Sequence, residues 1–367
     1  MFNYGKPVRG ENFFDRSSLK AEISRFLKSD TDFMIKAPRR YGKTSLVLEM
    51  MGDTKHVYLD FRQAPRLSLI SEYIIDQGYE ILGIAGFMSK VTFNVLSFIK
   101  EIKLTGKVNV GLVEFGAEVI LAEKDDISDC EKIVNALHIL DKIGEKLGRK
   151  ITIVFDEFQD IKRLSCEDGD ILEVLRGTLQ HKENLHSIFL GSIESVMTDI
   201  FENKKSPFFN YCRKMNLTPF DIEELNVELI AAFKRKKIVF ETDEVLMDIL
   251  HRLKGHPANT MLTMQTLYFL MLDSKKNLVK SEDVAEAFER AYFEQLDLIT
   301  EYVSEMKTKK YYHDVMYRLA RGEENTLTPQ ALYQTRVGLL NMGFLVQKQR
   351  DTYLIADSFL EEYLKRG

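Results

Sequence analysis

The stretch Ala37-Pro38-Arg39-Arg40-Tyr41-Gly42-Lys43-Thr44-Ser45 stands between an apolar run at 33–37 and a helix-patterned segment at 43–51. Strand, loop and helix in that order are the setting of a Walker A phosphate loop, G-x-x-x-x-G-K-[ST]. Each residue type has a chemical reason. Backbone N–H groups at a helix start point into the loop and, with the helix dipole, favour a bound anion. Gly42 lets the main chain approach a phosphate with no Cβ between them. Lys43 is expected to set its ammonium against the β and γ phosphates, and the Thr44 hydroxyl to ligate Mg²⁺. Pro38, Arg39, Arg40, Tyr41 and Ser45 complete the expected cradle. Ala37 takes the place of the motif's first glycine, which is acceptable provided its φ is not positive. The competing reading is a basic surface turn ahead of an ordinary helix.

Downstream, the run at 150–155 ends in Asp156-Glu157. A carboxylate at the end of a buried strand is costly unless a cation compensates, so Asp156 is expected to partner Mg²⁺. Glu157, one residue on, is expected to face the γ-phosphate and orient or deprotonate the attacking water. By itself an apolar run closed by two acids is also an ordinary strand exit. With the phosphate loop upstream it reads as an intact hydrolytic pair.

Working outward, apolar runs at 33–37, 56–61, 150–155, 187–190 and 215–218 show little alternation and are interleaved with helical patterns. That texture fits parallel strands buried on both faces and a doubly wound α/β sheet. The stretch 62–149 reads as an insertion, with a hairpin at 108–121 turning near Gly116. After Pro219 the patterning is helical at 221–235, 243–253, 258–272 and 281–303. The remainder offers helices at 311–321, 329–333 and 335–341, then a β-pair at 344–348 and 353–355 around Arg350-Asp351, the outline of a winged helix. The expected division is 1–220 for the nucleotide domain, 221–305 for a helical lid and 306–367 for the winged helix.

With 367 residues the chain is too long for one ordinary core. A hydrophobic share of 45% and a charged share of 29% describe a globular chain. The 51 basic and 56 acidic residues leave a net charge of −5, against a surface devoted to nucleic acid. No apolar run approaches the ~18 residues of a membrane span, and the N-terminus lacks a signal segment, so a cytoplasmic protein without a membrane partner is expected. Cys130, Cys166 and Cys212 are odd in number and far apart, which suits a reducing compartment and neither a zinc site nor a disulfide. The histidines are dispersed, with none paired at metal-ligand spacing.

Taken together, the motifs resemble the archaeal-type ATPases of the AAA+ superfamily, in the clade near the STAND NTPases and origin-recognition initiators. The resemblance rests on VRGENFFDR at 8–16, PRRYGKTSL at 38–46, VYLDF at 57–61, VFDEFQ at 154–159, FLGS at 189–192 and Gly255-His256-Pro257. It implies a P-loop AAA+ sheet with a helical lid and a C-terminal winged helix, binding ATP or ADP with Mg²⁺. It places Val8 and its neighbours beside the adenine and makes Ser192 the polar sensor of the γ-phosphate, where the plain alternative is a strand-end cap. Arg213 matches the arginine that completes a neighbouring subunit's site, although Cys212 and Lys214 flank it unusually; the alternative is a solvated surface residue. His256 and Pro257 belong to the signature that packs the lid on the nucleotide, though Pro257 also suits any helix start. No arginine of the second-sensor type is evident, since Arg252 precedes the glycine. Arg39 and Arg40 are therefore expected to supply those phosphate contacts.

The resemblance and the motifs point to a Mg·ATP-dependent switch that hydrolyses slowly and moves lid and winged helix. Two alternatives stand beside it: a DNA binder resembling an origin initiator, and a self-associating scaffold whose output belongs to a protein partner. For DNA the cations are sparse. Arg336 is alone in 335–341, the wing has Lys348 and Arg350 beside Asp351, and Lys234-Arg235-Lys236-Lys237 reads as a solvated helix end.

Overall fold

The computed structural model describes residues 2, 4–14, 16–63, 66–82, 111–115, 118–122, 128–164, 166, 169–192, 194–349 and 352–367. After α1 (Ser17–Lys28), β1 (Phe33–Lys36) leads into α2 (Lys43–Met51), and β2 (Val57–Asp60) into α3 (Leu67–Ile81). The antiparallel strands β3 (Gly111–Phe115) and β4 (Glu118–Ala122) form the expected hairpin; its turn, with Gly116, lies outside the described residues. Then follow α4 (Asp129–Leu147), β5 (Ile151–Asp156), α5 (Ile171–Leu179), β6 (Leu185–Gly191), α6 (Glu194–Glu202) and β7 (Arg213–Asn216). The main sheet has the order β2-β5-β6-β1-β7, and all its pairs are parallel. Strand order reverses beside β1, and in open α/β sheets the crevice at such a point takes the ligand. The last strand begins at Arg213, two residues before its expected start at 215.

Side-chain parity divides the sheet's apolar residues between its two faces. Met34, Ile153, Phe155 and Phe189 pack with α3, α4, α5 and α6, whereas Phe33, Ile35, Val154, Ile188 and Leu190 pack with α1 and α2. Both faces are covered, which is why these strands read as continuous apolar runs. Within the stretch read as an insertion, α3 and α4 belong to this core.

One expectation about the cysteines is overturned. Cys130 in the first turn of α4 and Cys166 beyond β5 are joined as a disulfide, with Cα atoms 5.7 Å apart, and Cys212 is free. That separation lies within the span a disulfide bridges. Their distance in sequence hid the pairing, because a parallel sheet brings a helix start and a distant strand exit together.

Beyond the sheet come α7 (Ile222–Arg235), β8 (Val239–Phe240), α8 (Met247–Leu253), α9 (Pro257–Asp273), β9 (Leu278–Val279), α10 (Ser281–Glu294) and α11 (Leu296–Lys307). The winged part is α12 (Tyr312–Arg321), α13 (Pro329–Asn341), β10 (Leu345–Gln349), β11 (Thr352–Ile355) and α14 (Ser358–Arg366). Three boundaries correct the sequence reading. The segment 281–303 is two helices meeting at Gln295, and 329–341 is one helix with Thr328 capping its start. Helix α14 was not foreseen, although the Asp357 side chain accepts from the N–H groups of Phe359 and Leu360 as an N-cap does. β10 and β11 pair antiparallel as the wing, and residues 350–351 lie outside the described set. Residues from α7 to α14 share one apolar core, which Phe2 and Phe14 from the N-terminal segment also enter.

Gly255, between α8 and α9, meets the segment that leaves the sheet. Its φ is +62°, its carbonyl accepts from the Phe220 N–H at 2.9 Å, and a Cβ there would meet the Phe220 carbonyl oxygen at 2.4 Å. Gly255→Ala is therefore expected to cost more than the roughly 1–2 kcal/mol of left-handed backbone alone. Gly148→Ala, also at φ +62° but with open space around the position, is expected to show only the backbone part. Urea unfolding of the two variants measures the difference.

Candidate active site

The phosphate loop leaves β1 at Lys36 and is anchored at once, because the Ala37 N–H donates to the Gly191 carbonyl at 3.3 Å. Arg40 (φ 68°) and Gly42 (φ 84°) take left-handed conformations while Ala37 does not, so alanine serves where the motif has glycine. Gly42 caps α2, and Lys43 in its first turn is only 5% exposed. The side chain folds back so that Nζ donates to the carbonyls of Ala37 at 3.1 Å and Pro38 at 3.2 Å. Burial lowers the ammonium's pKa below that of a free lysine, and the carboxylates of Glu157 and Asp156 pull the other way.

Those carboxylates close β5. Asp156 is buried; its Oδ2 accepts from Thr44 Oγ1 at 2.6 Å and from the Tyr58 hydroxyl, and its Oδ1 accepts from the Glu157 N–H at 2.8 Å. Glu157 leaves the strand in a left-handed conformation (φ 50°), uncommon for a residue with a side chain. Its Oε2 accepts from Ser192 Oγ and from Gln159 Nε2 at 2.7 Å, and its Oε1 lies 3.7 Å from Arg62 Nη1. Burial raises the Glu157 carboxyl, but Lys43, Gln159, Ser192 and Arg62 together hold it below the usual carboxylate range. Gln159 ties the two elements by also accepting from the Ser192 N–H at 3.3 Å.

Above them opens a cleft of about 610 Å³, a size suited to a small ligand. Gly42, Lys43, Thr44 and Ser45 line it together with Val8, Arg39, Arg40, Tyr41, Glu157 and Pro257. The Val8 N–H donates to Ser45 Oγ at 3.1 Å, fixing the N-terminal segment to the loop helix. The Thr44 hydroxyl and the Asp156 carboxylate are hard oxygen donors of the kind Mg²⁺ takes. Among the described residues no cluster of three His, Cys, Asp or Glu could hold a metal unaided. A Mg²⁺ held by Thr44 and Asp156 would complete its shell from water and phosphate oxygens, its usual manner of binding.

Pro38 contributes its carbonyl to Lys43, while Asp156 and Ser192 lie buried beside Glu157. Neither His256 nor Arg213 lines the cleft. His256 is buried, with Nδ1 accepting from the Asn259 N–H at 3.2 Å to cap α9 and its ring edge-on to Tyr41 at 5.1 Å. Burial holds its pKa below the usual histidine value, as an accepting Nδ1 requires. Arg213 is exposed at the start of β7, paired in register with Phe33 at the start of β1, and so sits at the sheet edge away from the loop. Arg40 donates to Gln295 at 3.0 Å and Tyr41 to the Ala356 carbonyl at 3.0 Å, so both side chains bind the lid and winged parts rather than waiting for phosphate. Arg252 pairs with Glu362 and covers the Phe288 ring at 3.9 Å, outside the cleft.

Three participants escaped the sequence reading. Arg16 is buried and donates to the Thr218 and Tyr41 carbonyls. Arg62 faces Glu157, and Tyr58 touches Asp156. For Arg62 a signal existed, a cation two residues after the acidic end of VYLDF. The other two carry none that periodicity could reveal.

No family model matches the sequence, and neither does any curated protein. Solved structures do match in fold. A Walker-type ATPase of Pyrococcus abyssi is 19% identical with a TM-score of 0.69, covering 99% of both chains. The ORC2 protein of Aeropyrum pernix, solved in ADPNP–ADP complexes, is 13% identical with a TM-score of 0.57 over 97% of this chain and 95% of its own. The Thermotoga maritima Holliday junction branch migration motor RuvB is 12% identical with a TM-score of 0.50 over 98% and 97%. The chain has the P-loop AAA+ fold with a helical lid and a C-terminal winged helix. No described helix is long and apolar enough to cross a membrane.

Tyr41→Phe removes only the hydroxyl that reaches Ala356. It is expected to cost about 0.5–1.5 kcal/mol and to quicken amide exchange across 352–366, read by mass spectrometry.

Proposed function

We propose that this chain binds ATP with Mg²⁺, hydrolyses it slowly, and uses the nucleotide state to set the position of its lid and winged helix. The observation that carries the reading is the convergence of Lys43, Thr44, Asp156, Glu157 and Ser192 at one end of one sheet, under a cleft of nucleotide size. In this reading Lys43 exchanges its two loop carbonyls for β and γ phosphate oxygens. Bound Mg²⁺ neutralises phosphate charge. Thr44 and Asp156 hold it, and Val8 with the N-terminal segment lies along the base.

Glu157 accepts a proton from the attacking water. Lys43 and the hydrogen bonds from Gln159 and Ser192 keep it ionised, so the base is ready across neutral pH. The same donors make it reluctant, because a carboxylate already accepting two side-chain hydrogen bonds is a weaker base until one donor leaves. Ser192, turning to the γ-phosphate, would release it. Slow turnover follows from that arrangement. The path to the lid is short, since Arg40 and Tyr41 belong to the phosphate loop and already contact Gln295 and Ala356.

For DNA, the winged part offers less: α13 packs against α6, and Arg336 lies over the Tyr353 ring at 4.8 Å. A latch is the better use of that helix. Arg213 lies too far from its own loop to serve it, so its role in this reading is to complete the site of a second copy.

Turnover of ATP by Glu157→Gln is expected to fall about 10²–10⁴-fold while affinity stays within a few-fold. Lys43→Ala is expected to lose ATP binding. Equal turnover in wild type and Glu157→Gln removes Glu157 from the chemistry, and a wild type that binds no nucleotide overturns the reading. Arg213→Ala is expected to lower turnover by about 10³-fold or more and to recover when mixed with Lys43→Ala chains, which bring an intact Arg213. Steady-state rates of the mixture decide it.

A further inference from the structure

One neutral side chain touches the metal-side carboxylate from the neighbouring strand. On β2, Asp60 lies in register with Asp156 and Tyr58 with Val154, so the Tyr58 ring runs along the sheet toward the strand ends on the α2 side. Its hydroxyl donates to Asp156 Oδ2, the oxygen that also accepts from Thr44. With the Glu157 N–H on Oδ1, the carboxylate is fixed from three directions: its own backbone, the phosphate-loop helix and the adjacent strand.

Tyr58 is itself held. β2 is the outer strand of the described sheet, and among the described residues no strand pairs with its free side. Gln77 of α3 takes that place: its Oε1 accepts from the Tyr58 N–H at 2.8 Å and its Nε2 donates to the Tyr58 carbonyl at 3.1 Å. A side-chain amide thereby mimics the missing strand at the residue whose hydroxyl orients Asp156.

We propose that Tyr58 is a positioning residue for the divalent cation, with Gln77 as its support. The proposal rests on the Mg·ATP reading above. Mg²⁺ demands near-ideal octahedral geometry, so a carboxylate free to rotate loses more on binding than one already oriented. Partners that orient a metal-binding carboxylate commonly contribute 10–100-fold in metal affinity. Phenylalanine keeps the ring and its packing and removes only the donor.

The test is binding of a fluorescent ATP analogue, in EDTA and across a Mg²⁺ titration, to wild type, Tyr58→Phe and Gln77→Leu. In EDTA all three are expected to bind alike. Tyr58→Phe is expected to need about 10–100-fold more Mg²⁺ for half of the gain in affinity, and Gln77→Leu to shift in the same direction by less. An unchanged Mg²⁺ requirement in Tyr58→Phe overturns the proposal. So does an equal loss of binding with and without Mg²⁺, which is the mark of a structural role. If Tyr58→Phe fails to fold by circular dichroism, an unshifted Gln77→Leu overturns it instead. A wild type that binds no analogue in either condition overturns the Mg·ATP reading itself, which separates the two failures.

Discussion

A buried ammonium facing two buried carboxylates is the constraint from which this molecule's arrangement follows. Moving a lysine out of water is costly unless its charge is compensated. Here two loop carbonyls accept from Lys43, and Asp156 and Glu157 offset the effect of burial. Such an arrangement needs β1 and β5 to end at the same sheet edge although β6 stands between them. The register provides it, since Lys36 pairs with Gly191 and Phe155 with Phe189. It also needs Ala37 and Pro38 to turn their carbonyls inward, which the left-handed turns at Arg40 and Gly42 accompany. A slip of one residue in β5 would send Asp156 to the other face.

The same loop faces outward with Arg40 and Tyr41, and these are committed to the second body. Because α7 to α14 share one apolar core, a displacement at Gln295 or Ala356 is felt by lid and winged parts together. Ion pairs add little to that unity. Arg366 meets Glu289 and Glu362, and Arg252 meets Glu362, but these groups are partly exposed, where such pairs contribute at most about a kcal/mol each. The Phe220 N–H donates to the Gly255 carbonyl where the chain passes from sheet to lid, and Phe2 packs into the lid core. A ligand that moved the loop would therefore act on that whole body through Gln295 and Ala356.

The sequence was legible wherever period and motif coincide. Strands buried on both faces read as unbroken apolar runs, and the loop and the Asp156-Glu157 exit stand at strand ends where a sheet's ligands bind. What escaped was contact between positions distant in sequence. Tyr58 meets Asp156, Arg62 meets Glu157, and Cys130 meets Cys166 through sheet order, which hydropathy does not encode. The resemblance carries His256 onto the nucleotide through the Gly255-His256-Pro257 signature, yet an N-cap aims its side chain back at its own helix. The division of 281–303 at Gln295 was invisible for a different reason: apolar residues continue on both sides, so the period hides the break.

Charge at the cleft bears on whether one chain suffices. Lys43, Arg39, Arg40 and Arg62 line it, but Arg40 is bound to Gln295, and Arg62 stands against Glu157 and Asp60. Drawing Arg62 to a phosphate would break its contacts with Glu157 and Asp60, and a carboxylate freed of that cation is the stronger base. Lys43 and Arg39 line the same cleft, and their engagement with phosphate breaks neither of those contacts. In phosphoryl transfer, charge spreads over the equatorial oxygens of the transferred group and a further cation there lowers the barrier. Arg213 is exposed on β7, an edge strand of the described sheet, at the end remote from its own loop, and on the proposed reading it completes the site of a second copy. On the proposed reading, a lone chain is a slow enzyme because it lacks the cation that a second copy's Arg213 would bring, and assembly is what changes its rate.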